Sequence, residues 1–357
     1  MAELILHVGP GKCGSTSIQS FFAAHPSPCV QNIRYRPLDP LRILALRGED
    51  ADEKALASFA AFLAQNLADC DALLLSQEYL FSSPRAVARI CELAKNLALR
   101  TMIVGYSRRQ SEFVVSAYSQ WLFSSLERTH ETTQVVEQIG IDPARFLGLE
   151  RQLIACVAND FHSARQLSGY VLLDWDRGYG RIAELVDGMA VGIRCGTLPK
   201  GGPAIGLIED FCEQSGLRLR DEIKAAGWVV ANAGFNPELV EAVNQAVARG
   251  IAMPAIDQLN RALQIRSAEM VERPVTSELV SALTNYADCF YAESNRQLCR
   301  QYGLDENYFA PSVVVSKDAA MELIIRENEK RATNPSAAVA EGRRLSADIL
   351  RLLAGSH

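Results

Sequence analysis

Short apolar runs alternate with longer segments of helical periodicity through the first half of the chain. Each apolar run has the length of a buried strand, and each longer segment places apolar residues at helical spacing. The predicted strands are Leu4–Val8, Ile33–Tyr35, Asp71–Glu78, Thr101–Tyr106 and Met189–Arg194, and the predicted helices are a segment beginning at Ile18, Ala51–Ala68, Pro84–Ala98 and Ser111–Ser125. Such alternation implies right-handed crossovers. We therefore predict an α/β, three-layer fold with a central, mainly parallel sheet flanked by helices.

The second half of the chain is predicted to be mainly helical. The predicted helices are Ile205–Gly216, Pro237–Arg249, Pro254–Leu263, Glu278–Tyr302, Ser316–Thr333 and Ser336–Leu353. We predict one domain over residues 1–310, with a core at about 1–200, a helix-rich continuation at 203–310 and a helical tail at 311–357. The two tail helices are amphipathic, so they pack either on the core or on a partner subunit in a homo-oligomer.

The composition is typical of a soluble enzyme. The 357 residues are 48% apolar and 22% charged, and the net charge of −6 argues against broad nucleic-acid binding. Nine cysteines occur without a C-x-x-C pair, so neither a zinc site nor a disulfide framework is expected. We find no signal peptide ahead of the first strand and no apolar run of membrane-spanning length, and we expect a cytoplasmic protein.

The segment after the first strand has the composition of an anion-binding loop. Gly9 to Ser17 reads Gly-Pro-Gly-Lys-Cys-Gly-Ser-Thr-Ser and leads into a helix. Glycines let the backbone approach a ligand closely, and the N–H groups of a helix N-terminus point toward it. The hydroxyls and the Lys12 ammonium add further donors, so the loop favours a phosphate or sulfate group. The alternative is a simple helix cap, since Ser and Thr favour that position.

The loop is not a strict Walker A motif. That motif requires lysine directly after the last glycine. Here Cys13 stands between Lys12 and Gly14, so the lysine comes two residues before that glycine.

Two further strand ends are predicted to share a rim with this loop, because ligands of parallel sheets gather at the carboxyl ends of the strands. They are Ser76–Glu78 and Ser107–Gln110. Arg108 and Ser116 are eight residues apart and could together bind a second phosphate, to which the arginine would donate two hydrogen bonds. Considered separately, an arginine at such a turn is more often solvated, and a serine such as Ser116 is more often a small helix residue that packs against a neighbour.

Taken together, these motifs resemble those of sulfotransferases that use 3′-phosphoadenosine 5′-phosphosulfate (PAPS). Members carry a Lys-x-Gly-[Ser/Thr]-[Ser/Thr] loop after a strand, which Lys12–Thr16 matches, and a rim arginine followed eight residues later by serine, which Arg108 and Ser116 match. The segment from Tyr106 to Gln120 is particularly similar to bacterial members thought to act on surface glycans. The Arg-Lys-Gly loop of eukaryotic cytosolic members is absent from this sequence.

The resemblance implies a role for each motif. Lys12 would neutralise charge on the leaving phosphate, and Arg108 and Ser116 would bind the 3′-phosphate. The residues that would hold the 5′-phosphosulfate are Gly11, Lys12, Cys13, Gly14, Ser15, Thr16 and Ser17. Glu78 is the expected general base on the acceptor, with His25 next. The resemblance also implies a P-loop-type fold, with a sulfotransferase domain over residues 1–310 and a nucleotide-binding core at about 1–200. It further implies PAPS as the donor, no metal, and as the acceptor a hydroxyl, less readily an amine, of a glycan or glycolipid.

Two other functions fit parts of the pattern. One is a P-loop kinase or nucleotide hydrolase with a degenerate loop. Asp174 and Asp176, which follow the apolar Val171–Leu173 run, could be its metal-binding pair in the manner of Walker B, although such a pair is more often two solvated carboxylates at a strand end. The other is a non-catalytic nucleotide-binding protein. That function would explain the loops but would give Lys12 and Glu78 no catalytic role.

Overall fold

The computed structural model describes residues 2–48, 52–119, 126–161, 173–199, 204–228, 237–248, 277–337 and 339–340. The strands are β1 (Glu3–His7), β2 (Ile33–Pro37), β3 (Ala72–Ser76), β4 (Arg100–Ser107) and β5 (Val191–Thr197). The helices within these ranges are α1 (Ser15–Ala24), α2 (Pro40–Arg47), α3 (Glu53–Leu67), α4 (Pro84–Asn96), α5 (Gln110–Tyr118), α6 (Leu126–Gln138), α7 (Gly148–Ala158), α8 (Trp175–Val186), α9 (Ala204–Gln214), α10 (Asp221–Ala226), α11 (Pro237–Ala248), α12 (Glu278–Phe290), α13 (Ala292–Tyr302), α14 (Glu306–Phe309) and α15 (Lys317–Thr333).

The five strands form one parallel sheet in the order β2-β3-β1-β4-β5. Central β1 and β3 are almost wholly apolar and buried, as expected for strands covered on both faces. The side chains of edge strand β2 instead point alternately toward two different helices. Tyr35 contacts Phe22 of α1, whereas Arg34 and Arg36 donate hydrogen bonds to Asn66 of α3. Helices α1 and α3 therefore cover opposite faces. This arrangement confirms the predicted α/β fold with its parallel sheet flanked by helices.

The chain divides into two compact units, which we describe separately. The first comprises residues 1–108, 168–231 and 293–309 and contains the sheet. The second comprises residues 109–167, 232–292 and 310–357, and its described elements are helical. The predicted division at residues 310 and 311 stays a prediction. None of the helices in the described ranges is both long and apolar enough to cross a membrane.

Two buried ion pairs with short hydrogen bonds hold described helices of the second unit together. Arg331 of α15 donates two hydrogen bonds to Glu150 of α7, at 2.7 and 2.9 Å. Arg151 donates from a single nitrogen, Nη2, to both carboxylate oxygens of Glu241 of α11, at 2.8 and 2.9 Å. Because each carboxylate accepts two short charge-assisted bonds from one guanidinium, these pairs fix α15 and α11 on α7.

Several predicted elements differ from the structure. The predicted single helix Glu278–Tyr302 is wrong, because the chain leaves helical geometry at Tyr291, whose ring packs on Phe161 at 5.4 Å. The last strand begins at Val191, two residues later than predicted, because Ala190 has φ 55°, which a strand does not accommodate.

Some helix boundaries are only partly covered by the described residues. Helix α5 ends at Tyr118, and residues 120–125 of its predicted extension lie outside the described residues. The predicted helix Pro254–Leu263 also lies outside them, as does most of Ser336–Leu353. The remaining predicted helices correspond to α1, α3, α4, α9, α11 and α15.

Candidate active site

The anion-binding loop connects β1 to α1 and lies close to neighbouring backbone. A Cβ added at Gly9 would lie 3.3 Å from His7 Nε2 and 3.4 Å from the Tyr106 amide nitrogen. Lys12 has φ 65° and Gly14 has φ 88°, so the loop makes two left-handed turns before the helix begins. Successive backbone N–H groups in such turns form a concave surface for anions.

The N-terminus of α1 is left without a side-chain cap. Gly14 is the N-cap residue, and its carbonyl accepts from Ser17 N and Ile18 N. Ser15 and Ser17 are buried, and the Ser15 hydroxyl lies 3.5 Å from the Pro10 carbonyl, whereas Thr16 is exposed. Amides at a helix start have no intrahelical acceptor, so these groups suit a bound anion.

Glu78 lies against this loop. It begins a short 3-10 turn after β3, where Gln77 Oε1 accepts from Glu78 N at 2.8 Å and Gln77 Nε2 donates to the Leu38 carbonyl at 3.0 Å. A Cβ added at Gly11 would lie 2.9 Å from Glu78 Oε2, so only glycine fits there without moving the carboxylate. Burial lowers the pKa of Lys12, and the nearby Glu78 carboxylate opposes this shift. The structure thus brings an ammonium and a carboxylate together at the loop.

Arg108 joins the same group of residues from the end of β4. Its Nη1 lies 3.5 Å from the Lys12 carbonyl oxygen, and its own carbonyl accepts from Trp175 Nε1 at 2.8 Å. The carboxyl ends of β1, β3 and β4 therefore bring Lys12, Glu78 and Arg108 onto one rim of the first unit.

Cys13 takes part in the loop through its backbone and its packing. Its side chain is fully buried, and burial raises the pKa of the thiol well above its ordinary value. A neutral buried thiol behaves as a small apolar side chain.

A polar cluster lies directly beneath the loop. His7 Nδ1 and Ser76 Oγ are 2.7 Å apart, and Gln19 Nε2 donates to the same hydroxyl at 3.1 Å. The ring of His7 meets Phe211 edge-on at 5.4 Å, and His7 Nε2 finds no hydrogen-bond partner in the part of the chain that the structure describes. Burial lowers the pKa of His7 to about 4, so this histidine is neutral near pH 7.

Ser116 and His25 were also predicted to belong to the site. Ser116 is half-buried on α5 and belongs to the second unit, whereas Arg108 is the last residue of a segment of the first, so their pairing stays a prediction. His25 caps the far end of α1, about 15 Å along the helix from the loop. It lies 3.0 Å through Nδ1 from the Phe21 carbonyl and stacks on that ring at 4.6 Å. The geometry favours Glu78 over His25 as the base.

The pair Asp174 and Asp176 marks a helix start. Asp174 is the N-cap of α8, and its Oδ1 accepts from Arg177 N at 3.1 Å and from the Ser294 hydroxyl. Val171 and Leu172, the predicted strand ahead of this pair, lie outside the described residues, so the interpretation of the pair as carboxylates at a strand end stays a prediction. The described residues contain no group of three or more His, Cys, Asp or Glu side chains placed to hold a metal ion.

Three supporting residues were missed by the sequence analysis: Gln19, Gln77 and Trp175. Gln19 lies one helical turn after Ser15 and therefore on the same face of α1, which is the signal that could have identified it. The bonds of Gln77 to Leu38 and of Trp175 to Arg108 depend on tertiary structure. A local sequence pattern therefore does not predict these two hydrogen bonds.

Comparison with models of protein families gives no match, and comparison with curated proteins gives none either. Among solved structures, the crystal structure of a sulfotransferase from Alicyclobacillus acidocaldarius is similar to this chain at 12% identity and a TM-score of 0.39. The similarity covers 87% of this chain and 99% of that one. A likeness this remote carries no argument about function.

Proposed function

We propose that the protein is a sulfotransferase that moves a sulfuryl group from PAPS to a hydroxyl, less readily an amine, of a glycan or glycolipid acceptor. The observation that carries the proposal is the convergence of Lys12, Glu78 and Arg108 around the uncapped start of α1. Two cations and a helix N-terminus suit a donor with two separated anionic groups. The carboxylate beside them suits an acceptor that must lose a proton.

The residues fit the donor group by group. The left-handed turns at Lys12 and Gly14 and the uncapped amides of α1 would hold the 5′-phosphosulfate. Exposed Thr16 supplies a hydroxyl donor, since the Ser15 hydroxyl already faces the Pro10 carbonyl. Arg108 would bind the 3′-phosphate as a charge-assisted donor, together with Ser116.

The proposed step transfers the sulfuryl group in line. The acceptor oxygen forms a bond to sulfur while the bond from sulfur to the phosphate oxygen breaks, and the acceptor proton passes to the Glu78 carboxylate. Lys12 stabilises the negative charge that collects on the leaving phosphate oxygen. Partial burial strengthens this interaction, because fewer water molecules compete for the ammonium. Catalysis is then positioning and charge stabilisation by groups already in place.

The competing function is a P-loop kinase or nucleotide hydrolase. Its lysine normally follows the last glycine of the loop, whereas Lys12 precedes Gly14 by two residues. Its metal-binding carboxylate would have to be Asp174, which caps α8 in this structure. Both observations favour the sulfotransferase.

Nucleotide titration tests the proposal. We expect micromolar binding of 3′-phosphoadenosine 5′-phosphate in buffer with a metal chelator, and weaker binding of adenosine 5′-phosphate, which lacks the 3′-phosphate. Arg108→Ala should weaken the first roughly tenfold to a hundredfold, as expected for a lost charge-assisted bond. The matched control is Arg100→Ala, because Arg100 is exposed at the opposite end of the same strand. Tighter binding of ATP with magnesium, insensitive to the 3′-phosphate, would contradict the proposal.

A further inference from the structure

The thiols of Cys29 and Cys212 are in contact within the first unit. Their Sγ atoms lie 4.0 Å apart, although the two residues are separated by 183 positions in the chain. Both side chains are buried, and both cysteines are reduced. The sulfur atoms of a disulfide are about 2.05 Å apart, so each thiol would have to move by only about 1 Å to form one.

The way in which α9 ends brings Cys212 to this position. The Cys212 carbonyl accepts from Leu217 N at 2.7 Å, the Glu213 carbonyl accepts from Gly216 N at 3.1 Å, and Gly216 has φ 70°. This is a Schellman motif, in which a left-handed glycine reverses the chain after the last helical turn. Cys212 therefore lies in the last turn of α9, beside the chain that returns from it.

The returning chain pairs with the segment that follows α1. Val30 N donates to the Arg218 carbonyl at 2.8 Å, and Arg220 N donates to the Pro28 carbonyl at 3.0 Å. These bonds hold Cys29 in a short antiparallel bridge. Val30 is 58% exposed, so the bridge lies at the surface. Local opening of such a short bridge would admit a small oxidant to the thiols.

The surroundings favour Cys29 as the thiol that reacts first. A hydrogen bond from the Cys212 thiol lowers the pKa of Cys29, burial opposes this shift, and the charge of Arg220 adds to the lowering. Arg220 is held beside Cys29, because its Nε donates to the Cys29 carbonyl at 2.9 Å. The thiolate is the form that oxidants attack, and redox-sensitive cysteines often have a second thiol within reach.

We propose that Cys29 and Cys212 form a reversible disulfide when the protein meets a hydroperoxide such as hydrogen peroxide. The Cys29 sulfur attacks one peroxide oxygen, the O–O bond breaks, and a sulfenic acid and one water molecule result. The Cys212 sulfur then attacks the Cys29 sulfur, the S–O bond breaks, and the hydroxyl leaves with the Cys212 proton as a second water molecule. The two thiols lose two electrons, which reduce the peroxide.

The disulfide would join the segment after α1 to the last turn of α9. Both helices contact the anion-binding loop, since α1 begins in it and a Cβ added at Gly14 would lie 2.7 Å from Leu207 Cδ2 of α9. Phe211, the residue before Cys212, meets the ring of His7 at 5.4 Å. The modification site therefore lies on the scaffold of that loop. Neither thiol belongs to the proposed donor site, so the inference does not depend on the proposed function.

Peptide mapping of the full-length wild-type protein tests the inference. The protein is treated with a small excess of hydrogen peroxide, catalase removes the remainder, and free thiols are alkylated after denaturation. Mass spectrometry of the non-reduced digest then identifies linked peptides. We expect the peptide that contains Cys29 to be linked to the one that contains Cys212, with two of the nine thiols lost and both recovered by dithiothreitol.

Single variants separate the two thiols. In Cys212→Ser, dimedone should trap the sulfenic acid on Cys29, whereas Cys29→Ser should leave Cys212 unlabelled. Cys91→Ser is the matched control, because Cys91 is also buried and burial raises its pKa to about 12. This variant should form the disulfide as wild type does.

The rates in wild type provide a second measurement. Cys29 should lose its thiol roughly tenfold faster than Cys91, because Cys91 has far less thiolate. A wild-type protein that keeps all nine thiols, one that links a different pair, or one in which Cys29 reacts no faster than Cys91 would each overturn the inference. These three outcomes are read on wild type, so they do not depend on the folding of any variant.

Discussion

Acidification should destabilise the fold through His7. This side chain is 1% exposed, its Nδ1 pairs with Ser76, and burial lowers its pKa from 6.5 to about 4. The folded state therefore binds the proton less readily than the unfolded state, so stability is complete above pH 6.5 and falls as the pH drops toward 4. One unit of pKa corresponds to about 1.4 kcal/mol, so the full effect is about 3 kcal/mol. From pH 7 to pH 5 the loss is about 2 kcal/mol.

The assay compares urea unfolding of the wild-type protein and His7→Asn at pH 7 and pH 5. Asparagine places a polar atom near the position of Nδ1, so the variant retains a partner for Ser76 but does not titrate. Subtracting the change in unfolding free energy of His7→Asn from that of wild type cancels the contribution of carboxylates. His25→Asn serves as a control, because His25 is a half-buried histidine. We expect wild type to lose about 2 kcal/mol more than His7→Asn between the two pH values. Parallel losses in the two proteins would refute the reasoning.

Two further predictions concern packing and buried charge. Gly178→Ala should cost about 1–3 kcal/mol, because its Cβ would lie 2.2 Å from Cζ of buried Phe81, whereas Gly180→Ala in the same helix meets no atom within 4 Å and should gain up to about 1 kcal/mol. Urea unfolding of both variants checks this, and equal effects would contradict it. Arg331→Met should cost about 3–5 kcal/mol by leaving Glu150 buried without its guanidinium, and adding Glu150→Gln should recover much of that loss. Thermal and urea unfolding of the single and double variants measure it, and a single-variant loss below about 1 kcal/mol would count against the burial argument.

The sheet was predictable because its central strands are continuous apolar runs. Leu73, Leu74 and Leu75 are wholly buried and can only belong to a strand covered on both faces. Helix α2 was missed because Pro40 and Asp39 suggest a turn, although Asp39 caps the helix and Pro40 occupies its first position. The break at Tyr291 depends on a ring contact with distant Phe161, which no local pattern contains.

The candidate site was predictable in its components but not in its contacts. Glycines, Lys12 and a strand-end carboxylate can be recognised in the sequence, and the carboxyl-edge rule places them on one rim. The approach of Glu78 to Gly11 and of Arg108 to the Lys12 carbonyl depends on the order of the strands. That order, with β1 between β3 and β4, is a property of the whole sheet.

The most direct test of the proposed function follows labelled sulfuryl groups. Wild-type protein, Glu78→Gln and Glu92→Gln are incubated with PAPS labelled at sulfur and a panel of glycan and glycolipid acceptors, without added magnesium. Glu92 is exposed on α4 and serves as the matched control. We expect transfer of the label to at least one acceptor by wild type and by Glu92→Gln, and loss of transfer in Glu78→Gln with nucleotide binding retained. Label that stays on PAPS with every acceptor, while ATP with magnesium is consumed, would contradict the assignment.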